Sequence, residues 1–158
     1  MQVRDIAEAI VLSEDIEFKL AALPENIEDS EPGPALRIEK PGRPPELEPR
    51  PISEAQVPSV AGYHDPVQRP RILHSFANHE LQAVELFAWA LLAFPDAPSA
   101  YRAGLLEILA EEQRHTRMYV ARLRKLGGEL GGYPVSGYFW NKTSQLTTPL
   151  RFVCAMSL

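Results

Sequence analysis

Two long stretches carry apolar residues at helical spacing without interruption. Residues 71–94, RILHSFANHELQAVELFAWALLAF, contain neither Gly nor Pro and stop at a Pro-Asp-Ala-Pro link. Residues 100–126 follow, with Ser99 as the expected N-cap and Gly127-Gly128 as the stop. The four-residue link predicts that the two helices are antiparallel neighbours. Upstream, Val3, Ile6, Ile10, Ile16, Leu20 and Leu23 form a looser stripe that predicts a short amphipathic helix over residues 3–22, ended by Pro24. Downstream, Thr148-Pro149 predicts the start of a third helix, and the chain stops inside its apolar run.

Between these elements, residues 24–70 hold 11 of the 15 prolines, which excludes an ordinary helix or central strand there. An extended arm lying along the domain, or a mobile one, is expected in preference to a ligand for a proline-binding module. The expected organisation is an N-terminal helix over residues 1–23, a Pro-rich arm over 24–70 and an all-α helical domain over 71–158. Residues 127–148 read as a loop rich in Gly and aromatics, without phosphate-cradling spacing.

The apolar stripe of the first long helix runs Leu73, Ala77, Glu80, Val84, Phe87, Leu91 and Phe94, and Glu80 alone breaks it. The stripe of the second runs Tyr101, Leu105, Ile108, Glu112, His115, Tyr119, Arg122 or Leu123, and Leu126, broken in mid-course by Glu112 and His115. Reflection about the link sets residue 80 opposite residue 113, between those two polar residues. Glu112 and His115 are three apart and share a helix face. Two carboxylates and an imidazole therefore meet at mid-bundle, with no Lys or Arg at that height on either inward stripe. Burying unpaired carboxylates is costly, and a divalent metal with oxygen and nitrogen ligands, Fe, Mn or Zn, offsets that cost. One Glu plus one Glu-x-x-His is half of a carboxylate-bridged dimetal set in a four-helix bundle. The alternative is a metal-free polar cluster that fixes register.

Other polar residues separate from this group. His74, Asn78, Gln82 and Glu85 form a second stripe on the first helix, expected to face solvent or another subunit. Glu111 is expected on the surface, as is His79 unless it is hydrogen-bonded, and Tyr119, one turn beyond His115, in the core in preference to a hydrogen-bond donor behind the ligands. No residue is assigned a catalytic role.

The net charge of −5 disfavours binding to a phosphate backbone. The longest apolar run, residues 86–94, is far short of the roughly 20 residues of a membrane span, and no signal peptide is recognisable. A single Cys154 excludes an intrachain disulfide. A cytoplasmic protein without nucleic-acid or membrane partners is expected.

Glu80-Leu81-Gln82-Ala83 together with Glu111-Glu112-Gln113-Arg114-His115 resembles the metal motif of ferritin-like proteins. The segments LHSFANHELQAVELFAWALLAFPDAP, EEQRHTRMYVARLRKLG and PVSGYFW are similar to the bacterial ferritin-like family called domain of unknown function four-five-five, from about Pro41 onward. The resemblance implies a ferritin-like antiparallel hairpin, half of a four-helix bundle, with Glu80, Glu112 and His115 as first-half ligands of a di-iron or di-manganese centre. It implies an oxidoreductase acting on dioxygen or peroxide, with metal storage or a vestigial interaction module as alternatives. The second half of the ligand set is expected from a missing C-terminal half or from a homo-oligomer. The latter fits a hairpin whose Phe76, Phe87, Trp89 and Leu92 would otherwise lack cover.

Overall fold

The computed structural model describes residues 1–156 of the chain. It is mostly helical, with five α-helices, short 3₁₀ turns and one pair of two-residue parallel strands among those residues. The helices are α1 (Val3–Leu12), α2 (Ile16–Leu20), α3 (Arg69–Ala93), α4 (Ser99–Lys125) and α5 (Pro149–Met156). The strands are β1 (Pro49–Arg50) and β2 (Val135–Ser136), paired Pro49 to Val135 and Arg50 to Ser136.

The α3–α4 hairpin is the centre of the molecule and forms its most extensive helix contact. From Leu81 to Pro95 every residue of α3 and its exit is buried, so this half of the helix is enclosed on all sides, as an all-round apolar helix must be. Arg102 locks the hairpin corner. Its Nη1 donates to the Leu91 carbonyl at the helix end (2.8 Å) and to the Phe94 carbonyl (3.1 Å), which also accepts from the Ala97 N–H, and its Nε and Nη2 form a fork with Asp29 (2.6 and 2.7 Å). Ser99 is the first helical residue rather than the cap; Pro98 takes the cap position.

The expected helix over residues 3–22 is two helices. Ser13 to Asp15 leaves helical geometry, and the Asp15 carboxylate accepts from the Glu17 and Phe18 N–H groups to start α2 anew. In α1, Val3, Ile6, Ala7, Ile10 and Val11 bury one face against α3.

The Pro-rich arm lies along this assembly. The Leu36 N–H donates to the Leu92 carbonyl at 2.9 Å, and the Arg37 guanidinium sits over the Trp89 and Phe94 rings. Gly42 donates to the Val11 carbonyl; a Cβ there would lie 1.9 Å from the Leu12 oxygen, so only glycine lets the arm approach α1 this closely. Arg43 and Leu47 then enter the core. α5 begins as expected, with the Thr148 hydroxyl accepting from the Arg151 N–H, and it inserts Phe152 between Phe87, Trp89 and Phe94.

This cover corrects one expectation. Phe87, Trp89 and Leu92 are buried within a single chain, and Phe76 is half-buried against the edge of Tyr119. The arm, α1 and α5 supply the surfaces that the bare hairpin lacked. Within the described residues, no helix is long and apolar enough to cross a membrane.

Candidate metal centre

α4 is rotated relative to the seam drawn from its sequence. Its buried face is Arg102, Leu105, Leu109, Gln113, Thr116, Val120 and Leu123. The rotation is fixed by α2, whose Lys19 carbonyl accepts from Gln113 Nε2 at 2.8 Å and whose Leu20 carbonyl accepts from Arg117 Nη1. The edge carrying Tyr101, Glu112, His115 and Tyr119 is therefore half-buried beside the seam rather than inside it.

Glu80 of α3 meets Glu112 and His115 of α4 on that edge. One potential ligand atom from each lies within 4.8 Å of the others. His115 Nδ1 is 3.2 Å from Glu112 Oε2, with 36% of the His115 side chain and 18% of the Glu112 side chain exposed. The Thr116 hydroxyl bonds back to the Glu112 carbonyl at 2.8 Å and holds that turn of α4. Among the described residues no Lys or Arg forms an ion pair with Glu80 or Glu112. Partial burial first, then the hydrogen bond and the charge of Glu112, push the Glu80 carboxyl up to about 8. In the absence of a cation this pair of acids retains a proton at neutral pH. A divalent ion coordinated by two carboxylates and an imidazole would take that proton's place, and the donor set suits iron or manganese.

His79, beside Glu80 on α3, is exposed, its ring edge-on to Phe139 at 4.6 Å. Desolvation lowers its pKa, opposed by the charge of Glu112. Its ring is not part of the three-residue group. Glu111 is exposed, as expected, and Tyr119 is half-buried rather than core.

The second polar stripe is the principal departure from the sequence reading, because all four of its members are buried. Glu85 is fully enclosed. Lys19 Nζ donates to its Oε1 at 2.7 Å, Arg43 Nη2 to its Oε2 at 2.7 Å, Arg43 Nε to both oxygens at 3.0 and 3.2 Å, and Trp140 Nε1 to Oε2 at 2.9 Å. Burial drives the Glu85 pKa up, but the charges and hydrogen bonds of Arg43 and Lys19 together outweigh it and leave the pKa below the ordinary value. Asn78 accepts from Arg43 Nη1 and donates to the Ser136 carbonyl, and Gln82 accepts from the Phe139 N–H. His74 accepts from the Gly131 N–H at 3.0 Å, and burial pushes its pKa down to about 4. The stripe thus fastens the arm and the aromatic segment 136–140 to α3. The signal available beforehand was the apolar surround: polar residues on a helix that is otherwise apolar all round are enclosed with it and need partners.

No curated protein and no solved structure matches the chain. A family model described as "Protein of unknown function (DUF455)" matches residues 3–158. That match begins well before Pro41 and takes in α1, α2 and the whole arm, including Lys19 and Arg43. The chain belongs to the family of proteins of unknown function designated DUF455.

Proposed function

We propose that Glu80, Glu112 and His115 bind a redox-active transition metal, iron or manganese, as a ferritin-like carboxylate centre, and that the protein is an oxidoreductase using dioxygen or peroxide. The observation that carries this reading is the meeting of two carboxylates and an imidazole, within 4.8 Å, with no Lys or Arg among the described residues paired to them. A Glu on one helix facing a Glu-x-x-His on its neighbour supports the ferritin-like assignment. Three protein donors leave the rest of a metal's coordination shell to water or to further protein donors, as in a di-metal centre.

Each residue has a task that its surroundings suit. Glu112, braced through its backbone by Thr116 and through its carboxylate by His115, would be the carboxylate ligand from α4. Glu80 would supply the second carboxylate, from α3. His115 supplies the nitrogen donor. Bound iron supplies one-electron redox chemistry toward oxygen or peroxide.

Metal analysis of protein purified without chelators tests the reading. Wild type and the exposed-neighbour control Glu111→Ala are expected to carry iron or manganese in near-stoichiometric amount, and Glu112→Ala to lose it. Equal metal content in all three proteins refutes the site.

A further inference from the structure

A cleft of about 440 Å³ opens between α3, α4 and α5, and Glu80 and Glu112 stand at one side of it. Its walls are apolar: Ala83 and Phe87 from α3, Leu105 and Ile108 from α4, Phe152 and Met156 from α5. The Tyr101 hydroxyl, 3.4 Å from the Pro149 carbonyl, ties the first turn of α5 to α4 and so holds the cleft's third wall. Ile108, in mid-helix, is 38% exposed into this space.

Gly104 also lines the cleft. It lies inside α4, where glycine is among the poorest helix formers. A Cβ at this position would meet no atom within 4 Å, so packing does not demand glycine; its effect is to leave the cleft wider.

The size and charge of the cleft select its occupant. Its volume falls within the range of small-molecule sites, roughly 300–1,000 Å³. Among the described residues no Lys or Arg lines the cleft, and its acidic residues are Glu80 and Glu112, with His79 beside them. In the metal-free protein an anionic headgroup finds no Lys or Arg among these lining residues to pair with and faces the acidic pair Glu80 and Glu112.

We propose that this cleft binds a small, uncharged, apolar molecule and presents it to the Glu80–Glu112–His115 site as the substrate of that centre. The substrate role rests on the metal-site reading, whereas the binding does not require metal.

The test is equilibrium binding of 1-octanol and of octanoate to metal-free full-length protein, with wild type beside Gly104→Phe. Metal content and sedimentation are measured on the same samples. Octanol is expected to bind saturably to the wild-type monomer, octanoate at least about tenfold more weakly, and Gly104→Phe is expected to abolish octanol binding while remaining folded by circular dichroism. The proposal is overturned by no saturable octanol binding, by octanoate binding as tightly, or by unchanged binding to folded Gly104→Phe. A wild-type dimer that Gly104→Phe converts to monomer overturns it in favour of a second copy as occupant. Loss of the metal reading with octanol binding intact, or the reverse, shows separately which of the two claims has failed.

Discussion

Removing the Glu85 carboxylate leaves two cations in the core without their counter-ion, and the cost follows from what each keeps. In Glu85→Ala, Arg43 retains the Leu47 carbonyl and the Asn78 amide oxygen, and Lys19 retains only the Val11 carbonyl at 3.3 Å. The Trp140 indole N–H loses its acceptor. Removing one partner of a buried ion network typically costs about 3–5 kcal/mol. That is a large part of the roughly 5–15 kcal/mol that holds a domain folded. With a urea slope of about 2 kcal/mol per molar, the unfolding midpoint should fall by about 1.5–2.5 M, read by circular dichroism. The pH dependence gives an independent check. A depressed carboxylate pKa adds stability that is complete above the unfolded value of 4.5 and disappears as pH falls through the folded value below it. Wild type should therefore lose stability below pH 4.5 more steeply than Glu85→Ala. A Glu85→Ala protein within about 1 kcal/mol of wild type at pH 7 would show that the network is incidental.

Three further outcomes follow from named contacts. Because the Glu80 pKa is raised to about 8, the folded metal-free protein binds more protons than the unfolded chain between pH 4.5 and 8. Its stability should fall across that window as pH rises, and Glu80→Gln should flatten the profile; a wild-type profile already flat in the metal-free state contradicts the acid pairing. Arg102→Met strips the charged donor from the Leu91 and Phe94 carbonyls and leaves Asp29 unpaired. It should cost on the order of 2 kcal/mol in urea unfolding, whereas Arg114→Met, on the exposed side of α4, should cost almost nothing. Asp15→Ala removes the acceptor of two N–H groups at the start of α2, with an expected cost of about 1 kcal/mol that Asp15→Asn should largely restore.

The parts of the fold that were legible in the sequence are those in which local pattern and tertiary demand agree. The absence of Gly and Pro across the long runs, the Pro-bounded link and the Thr148-Pro149 start set the hairpin and α5 to within two residues. The meeting of Glu80 with Glu112 and His115 follows from antiparallel arithmetic alone. The break between α1 and α2 was not legible in apolar spacing, because Ile16 and Leu20 continue the stripe across it. It lies in the Ser13–Asp15 chemistry, where a capping carboxylate competes with helix continuation. The covering of Phe87, Trp89 and Leu92 was out of reach because the covering groups come from irregular chain. Leu36 and Arg37 are more than 50 residues from the ring and carbonyl they meet, and they carry no periodicity.

The two acids of α3 show why binary pattern alone cannot separate a structural carboxylate from a candidate ligand. Glu80 and Glu85 lie about 140° apart on one helix, and composition treats them alike. Glu85 accepts from Lys19, Arg43 and Trp140, so its oxygens are saturated by cations and an indole that the chain itself supplies. A metal there would have to displace two buried positive charges. Glu80 faces another acid and an imidazole, and among the described residues no Lys or Arg forms an ion pair with it. On the proposed reading the deeper carboxylate is thus the worse candidate ligand, and the half-buried one, which no Lys or Arg among the described residues pairs with, the better. Depth of burial does not rank these sites; the deciding quantity is whether the fold already provides the counter-charge. That criterion needs partners 42 and 66 residues away in sequence, which is why Glu85 could be read as a surface residue until the arm and α2 were in place.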